Sequence, residues 1–159
     1  MGLKKFLDPI FTGLRFLTGL LLTGMVAVQA YEIALREFTG RTPAWSKELT
    51  LLLMVWVGFL ASADLLRSRG HIAVEFVVNA LPGRGRQALV ILADLLVFVF
   101  AGFLFYAGVA LVREFLHQSL PGTSLPVGIA YLPMPAAGAL MALAGLELIW
   151  RDLRGEIES

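Results

Sequence analysis

The stretch Leu89–Val112, LVILADLLVFVFAGFLFYAGVALV, runs for 24 residues with a single charged side chain, Asp94. As a helix rising 1.5 Å per residue, it reaches across the roughly 30 Å hydrocarbon core of a bilayer. A lone strand is excluded, because in lipid its peptide groups would go unpaired. Three further stretches read the same way: Phe11–Tyr31, Leu49–Leu66 and Val127–Trp150. Each approaches or exceeds the roughly 20 residues a spanning helix needs. The whole chain of 159 residues is 58% hydrophobic and 16% charged, too apolar for a soluble domain of this length. The expected fold is an all-α integral membrane protein. It has four transmembrane helices and a short interfacial helix, all within one membrane domain over residues 1–159.

Polar and helix-breaking residues collect in the connections. Arg36, Glu37, Gly40, Arg41 and Pro43 lie in the first, and Pro121, Gly122 and Pro126 in the third. In the third, Ser124 is placed to cap the fourth helix, with Pro126 in its first turn. The second connection contains Ile72–Leu81, too short to span. Its apolar residues, with Glu75 and Asn79 on a polar side, predict an amphipathic helix lying in the interface, although a short buried connector fits the same residues.

Basic residues set the orientation. Lys4, Lys5, Arg15, Arg67, Arg69, Arg84, Arg86, Arg151 and Arg154 fall on one side of the spans, and Arg36, Arg41, Lys47 and Arg113 on the other. The richer side is cytoplasmic by the positive-inside rule, which places both termini there. Lys4, Lys5 and the apolar run up to Val28-Gln29-Ala30 also resemble a signal peptide. The run is long for that role, and an uncleaved span fits the even topology.

Composition narrows the functional classes. A net charge of +1 with dispersed basic residues offers no stripe for nucleic acid. The absence of cysteine removes thiolate catalysis, disulfides and iron–sulfur ligation. His71 and His117 fall on opposite faces and cannot share a haem. No phosphate loop, metal-ligand cluster or nucleophile–base arrangement is present, so neither enzyme activity nor a cofactor is expected. The ionisable residues beside the spans are Arg15, Glu32, Glu48, Asp64, Asp94 and Glu147. Asp94, about two turns into its span, is the candidate for a buried polar contact or, equally, for a solvated position at headgroup depth. Gly138 with Ala142, and Gly19 with Thr23, are small-residue pairs that permit close helix approach. Trp45 and Trp150 suit headgroup level, whereas Trp56 lies mid-span against protein.

Several short motifs occur in a telling order. Thr42-Pro43-Ala44-Trp45-Ser46-Lys47-Glu48 leads into the second span, and Arg69-Gly70-His71-Ile72-Ala73-Val74-Glu75 follows it. Leu81-Pro82 comes next, and Gly128-Ile129-Ala130-Tyr131-Leu132-Pro133-Met134-Pro135 opens the fourth. Over almost its whole length the chain resembles the small membrane subunit, DctQ type, of tripartite ATP-independent periplasmic (TRAP) transporters. It departs from that pattern at Lys47, where the family often has a second acid beside Glu48, and at Glu75, where aspartate is common. A carboxylate at Glu48 is also favoured by the amides at its own helix start.

The resemblance implies a multi-pass protein of the bacterial inner membrane. It would be a scaffold for a large transmembrane permease subunit that holds the substrate and ion sites. A periplasmic solute-binding protein would deliver an organic anion, often a carboxylate, with import usually driven by sodium. Trp45, Glu48, Trp56, Asp94, Gly138 and Ala142 become candidates for contact with the partner subunit or with membrane lipids. Arg69, Gly70, His71 and Glu75 form a candidate interfacial motif. The alternative is a small autonomous four-helix exporter of drugs or cations. Its mechanism calls for a mid-membrane acid, and Gly19–Gln29 in the first span contains none.

Overall fold

The computed structural model describes the backbone over residues 2–68 and 84–153, and the side chains over 7–68 and 89–150. The expected interfacial helix Ile72–Leu81, and with it Arg69, Gly70, His71 and Glu75, lies outside the described residues. Helices α1 (Gly2–Thr39), α2 (Ala44–Arg67), α3 (Arg84–Phe115), α4 (Gly128–Tyr131) and α5 (Pro133–Leu153) make up the rest. Among the described residues, four helical stretches are long and apolar enough to cross a membrane: Leu7–Thr39, Ala44–Arg67, Leu89–Phe115 and Gly128–Trp150.

Local chemistry accounts for the helix ends. Gly40 closes α1 at φ +67°, a left-handed conformation that glycine adopts without steric cost, and its N–H donates to the Arg36 carbonyl at 2.9 Å. Three residues later Pro43 holds an extended conformation (φ −65°, ψ 133°) at the start of α2. Its carbonyl accepts from the Ser46 N–H at 3.3 Å and the Ser46 hydroxyl at 2.8 Å. So short a link makes α1 and α2 an antiparallel hairpin.

The fourth apolar stretch departs from expectation in two ways. Ser124 does not cap it. Instead Ser124 sits at φ 57° in a loop closed by Leu120 N–H to Leu125 C=O at 2.8 Å and Val127 N–H to Gln118 C=O at 2.7 Å. The helix starts without a side-chain cap at Val127, because Ile129 and Ala130 donate to the Pro126 and Val127 carbonyls in tight three-residue turns. The stretch is also divided into α4 and α5. Pro133 and Pro135 lack the N–H groups that would reach back to Ile129 and Tyr131, while Leu132 keeps helical angles (φ −54°, ψ −34°).

Contacts run from α1 to α2, from α2 to α5 and from α5 to α3, the last being the most extensive, so the helices stand in the order α1, α2, α5, α3. The shared core is Leu7, Phe11 and Leu14 from α1, Leu60, Ala63 and Leu66 from α2, Ala101 and Leu104 from α3, and Met141 and Ala144 from α5. Lipid tails are as apolar as these side chains, so burial alone does not hold such helices together; close packing and polar contacts do. The α3–α5 seam shows the close packing. Gly108 faces Pro135, Gly138 faces Phe105, and Gly145 faces Phe98, an antiparallel register in which a Cβ on Gly138 would lie 2.6 Å from the Phe105 nitrogen. Phe16 and Tyr106, each 75% exposed, mark outward faces that a bilayer would cover.

Candidate functional site

Two polar layers join the helices near their ends. In the first, Arg67 at the end of α2 reaches both neighbours. Its Nε donates to Glu147 Oε2 at 2.8 Å, and its Nη2 donates to Asp8 Oδ1 at 2.6 Å and to Glu147 Oε1 at 3.3 Å. The Phe11 ring lies 4.6 Å from the guanidinium carbon, so one cation ties α1, α2 and α5 while resting on an aromatic face. Glu147 is only 3% exposed, and a carboxylate that deep needs its partner. One turn further in, Arg15 Nε donates to both Asp64 oxygens at 2.8 Å, linking α1 to α2 again.

The second layer lies at the other end. The fully buried Ser46 hydroxyl shares its single hydrogen between the Pro43 carbonyl and Glu32 Oε2, the latter 2.9 Å away, and Tyr31 stacks on Trp45 with ring centroids 6.0 Å apart. Glu48 accepts from the Gly122 and Thr123 N–H groups at 2.8 Å each and from the Thr123 hydroxyl at 3.0 Å. Its carboxylate therefore fastens the loop between α3 and α4 onto α2. The 21 helical steps from Ser46 to Arg67 separate the layers by about 30 Å, the thickness of the hydrocarbon core. Between them Leu49–Ala63 carries no charge. The arrangement is suited to holding helices in fixed register. Among the described residues no group of three or more His, Cys, Asp and Glu could hold a metal ion.

The structure distributes the other expected residues unevenly. Trp45 keeps 37% of its surface exposed, while Trp56 and Ala142 pack against the core. Asp94 is half-buried on α3 and His117 is exposed beyond its end. Gly138, a candidate for close helix approach and for contact with a partner subunit or lipid, is buried against the backbone of α3. Gly19 meets nothing within 4 Å, and Thr23 donates back to its carbonyl at 2.8 Å. Sequence reading missed Asp8 and treated Arg67 only as a topogenic charge. The available signal was topology: with antiparallel spans, Asp8, Arg67 and Glu147 all fall at one end.

These features define a class: a multi-pass, helical membrane protein with polar groups near the helix ends that bind the chain's own helices and loop. The chain belongs to the family of tripartite ATP-independent periplasmic transporters, DctQ component, whose profile matches residues 25–155. It is a TRAP-type small permease subunit of the inner membrane and not an enzyme. It is 27% identical over 115 residues, 71% of this chain, to the isethionate TRAP transporter permease protein DctMQ of Oleidesulfovibrio alaskensis, of whose length the match covers 18%. A putative TRAP transporter small permease protein of Haemophilus influenzae is 25% identical over 83% of this chain and 78% of its own length. The C4-dicarboxylate TRAP transporter small permease protein DctQ of Rhodobacter capsulatus is 26% identical over 74% of this chain and 53% of its own.

Proposed function

We propose that this chain braces a large permease subunit in the membrane while that subunit imports an organic anion of the carboxylate class, delivered by a periplasmic binding protein and driven by a sodium gradient. The observation that carries the reading is the pair of polar layers: Arg67, Asp8, Glu147, Arg15, Asp64, Glu32 and Glu48 are engaged in holding the chain's own helices or loop. A brace needs that rigidity, whereas a carrier needs polar groups left for cargo. The partner is supported by the isethionate relative, in which the stretch matching this chain is 18% of a much longer permease protein. Anionic cargo is supported by the names of two relatives, isethionate and C4-dicarboxylate. Both termini face the cytoplasm in this reading, on the strength of the Lys and Arg bias.

Reconstitution tests it. The complete complex with its binding protein accumulates substrate in liposomes under an inward sodium gradient and stops when that gradient is removed. This chain alone accumulates none. Uptake by the small chain alone would overturn the proposal.

A further inference from the structure

Beside the Arg15–Asp64 pair, between α1 and α2, lies a groove of about 380 Å³ lined chiefly by Arg15, Thr18, Ser62, Asp64, Leu65 and Ser68. Its hydrogen-bonding capacity is unevenly used. Arg15 donates only through Nε, to both Asp64 oxygens at 2.8 Å, and its two Nη groups have no acceptor among the described residues. The Arg15 side chain is 60% exposed and that of Asp64 23%, so the carboxylate is the anchored member and fixes the plane of the guanidinium. The hydroxyls face the opposite way in donor terms. Thr18 donates to the Leu14 carbonyl at 2.8 Å, Ser62 to Gly58 at 2.7 Å and Ser68 to Leu65 at 3.0 Å, which leaves them as acceptors. Among the described residues, the groove's free side-chain donors are therefore the paired N–H groups of one oriented arginine.

We propose that this groove binds the phosphate of a membrane phospholipid, with the Arg15 Nη groups donating to two phosphate oxygens. Planar, paired donors match that geometry, and a hydrogen bond between two ions is stronger than one to water. Depth agrees. Asp64 lies one turn, about 4.5 Å, inward of the Arg67 layer, close to where headgroup meets hydrocarbon. The neighbouring Leu65, 50% exposed, offers apolar surface to the glycerol and upper acyl chain. The site is independent of what the complex carries.

The test uses the full-length chain in detergent, titrated with phosphatidylglycerol and followed by native mass spectrometry. One lipid is retained by the wild type, and Arg15→Gln lowers the apparent affinity about tenfold or more. Ser62→Leu, which fills the groove and leaves the ion pair untouched, has the same effect and carries the test if Arg15→Gln does not fold. Arg113→Gln, on an exposed cation of α3, changes nothing. Diacylglycerol with the same acyl chains is not retained, and inorganic phosphate at equal concentration does not displace the lipid. Unaltered binding by both groove variants, equal retention of diacylglycerol, or displacement by free phosphate would each overturn the proposal. So would a photocrosslinker at Ala61 that, in the assembled complex, captured the large subunit in place of lipid.

Discussion

At the scale of single residues, the strongest commitments are Arg67 and Glu48, and each fails in a distinct way. Replacing Arg67 with methionine keeps much of the side chain's volume but leaves Glu147, 3% exposed, without its cation. A buried charge left alone destabilises by about 3–5 kcal/mol, and removing both charges recovers most of that. Thermal unfolding in detergent is expected to show a large loss for Arg67→Met and a much smaller one for Arg67→Met combined with Glu147→Leu. Equal losses would mean the ion pair is not what matters there. Glu48→Ala removes the acceptor of the Gly122 and Thr123 N–H groups, which are half-buried and then turn to water. Its signature is local: hydrogen exchange at those two amides accelerates while that at Leu104 does not.

Partners at this scale were the least legible part of the sequence. The charges beside the spans could be named in advance, but Asp8 pairs with Arg67 across 59 residues and Glu147 across 80. Periodicity within one helix carries no information about which helix stands opposite. Ser124 misled for a related reason, since capping chemistry and turn chemistry use the same residue types, and loop closure through Leu120 and Val127 decided between them.

At the scale of elements, the four spans were legible because length and apolarity are what lipid demands. Their ends were not, since α1 extends as helix well beyond Phe11–Tyr31 in both directions. The small residues show the same split between existence and address. Gly138 was recognisable as a point of close approach, and the structure shows the approaching element to be α3. Gly138→Ile is therefore expected to destabilise the isolated chain by roughly 1–3 kcal/mol through overpacking against the Phe105 backbone. Gly19→Ile, at a position with nothing within 4 Å, leaves that stability nearly unchanged. Thermal unfolding of both variants in detergent, without the partner subunit, checks this; a neutral Gly138→Ile would mean the α3–α5 seam is looser than described.

Orientation belongs to the whole molecule. The chain has no cysteine, so single cysteines at Phe38, 88% exposed at the end of α1, and at Arg84 report without background. Membrane-impermeant thiol reagents are expected to reach position 38 from the periplasm and position 84 from the cytoplasm. The reverse pattern would invert the topology.

The helices stand in a row α1, α2, α5, α3, with polar contacts at two levels about 30 Å apart that suit a brace. The central claim is that this row keeps its arrangement while its partner moves. Spin labels on Thr12 of α1 and Leu146 of α5, both exposed, span the Arg67 layer, and pulsed dipolar spectroscopy on the complete complex in liposomes reads the distance between them. The account predicts one distance distribution, the same at rest and during sodium-driven substrate accumulation. A second population that appears only during turnover would contradict it, because the chain would then be a moving part of the transporter.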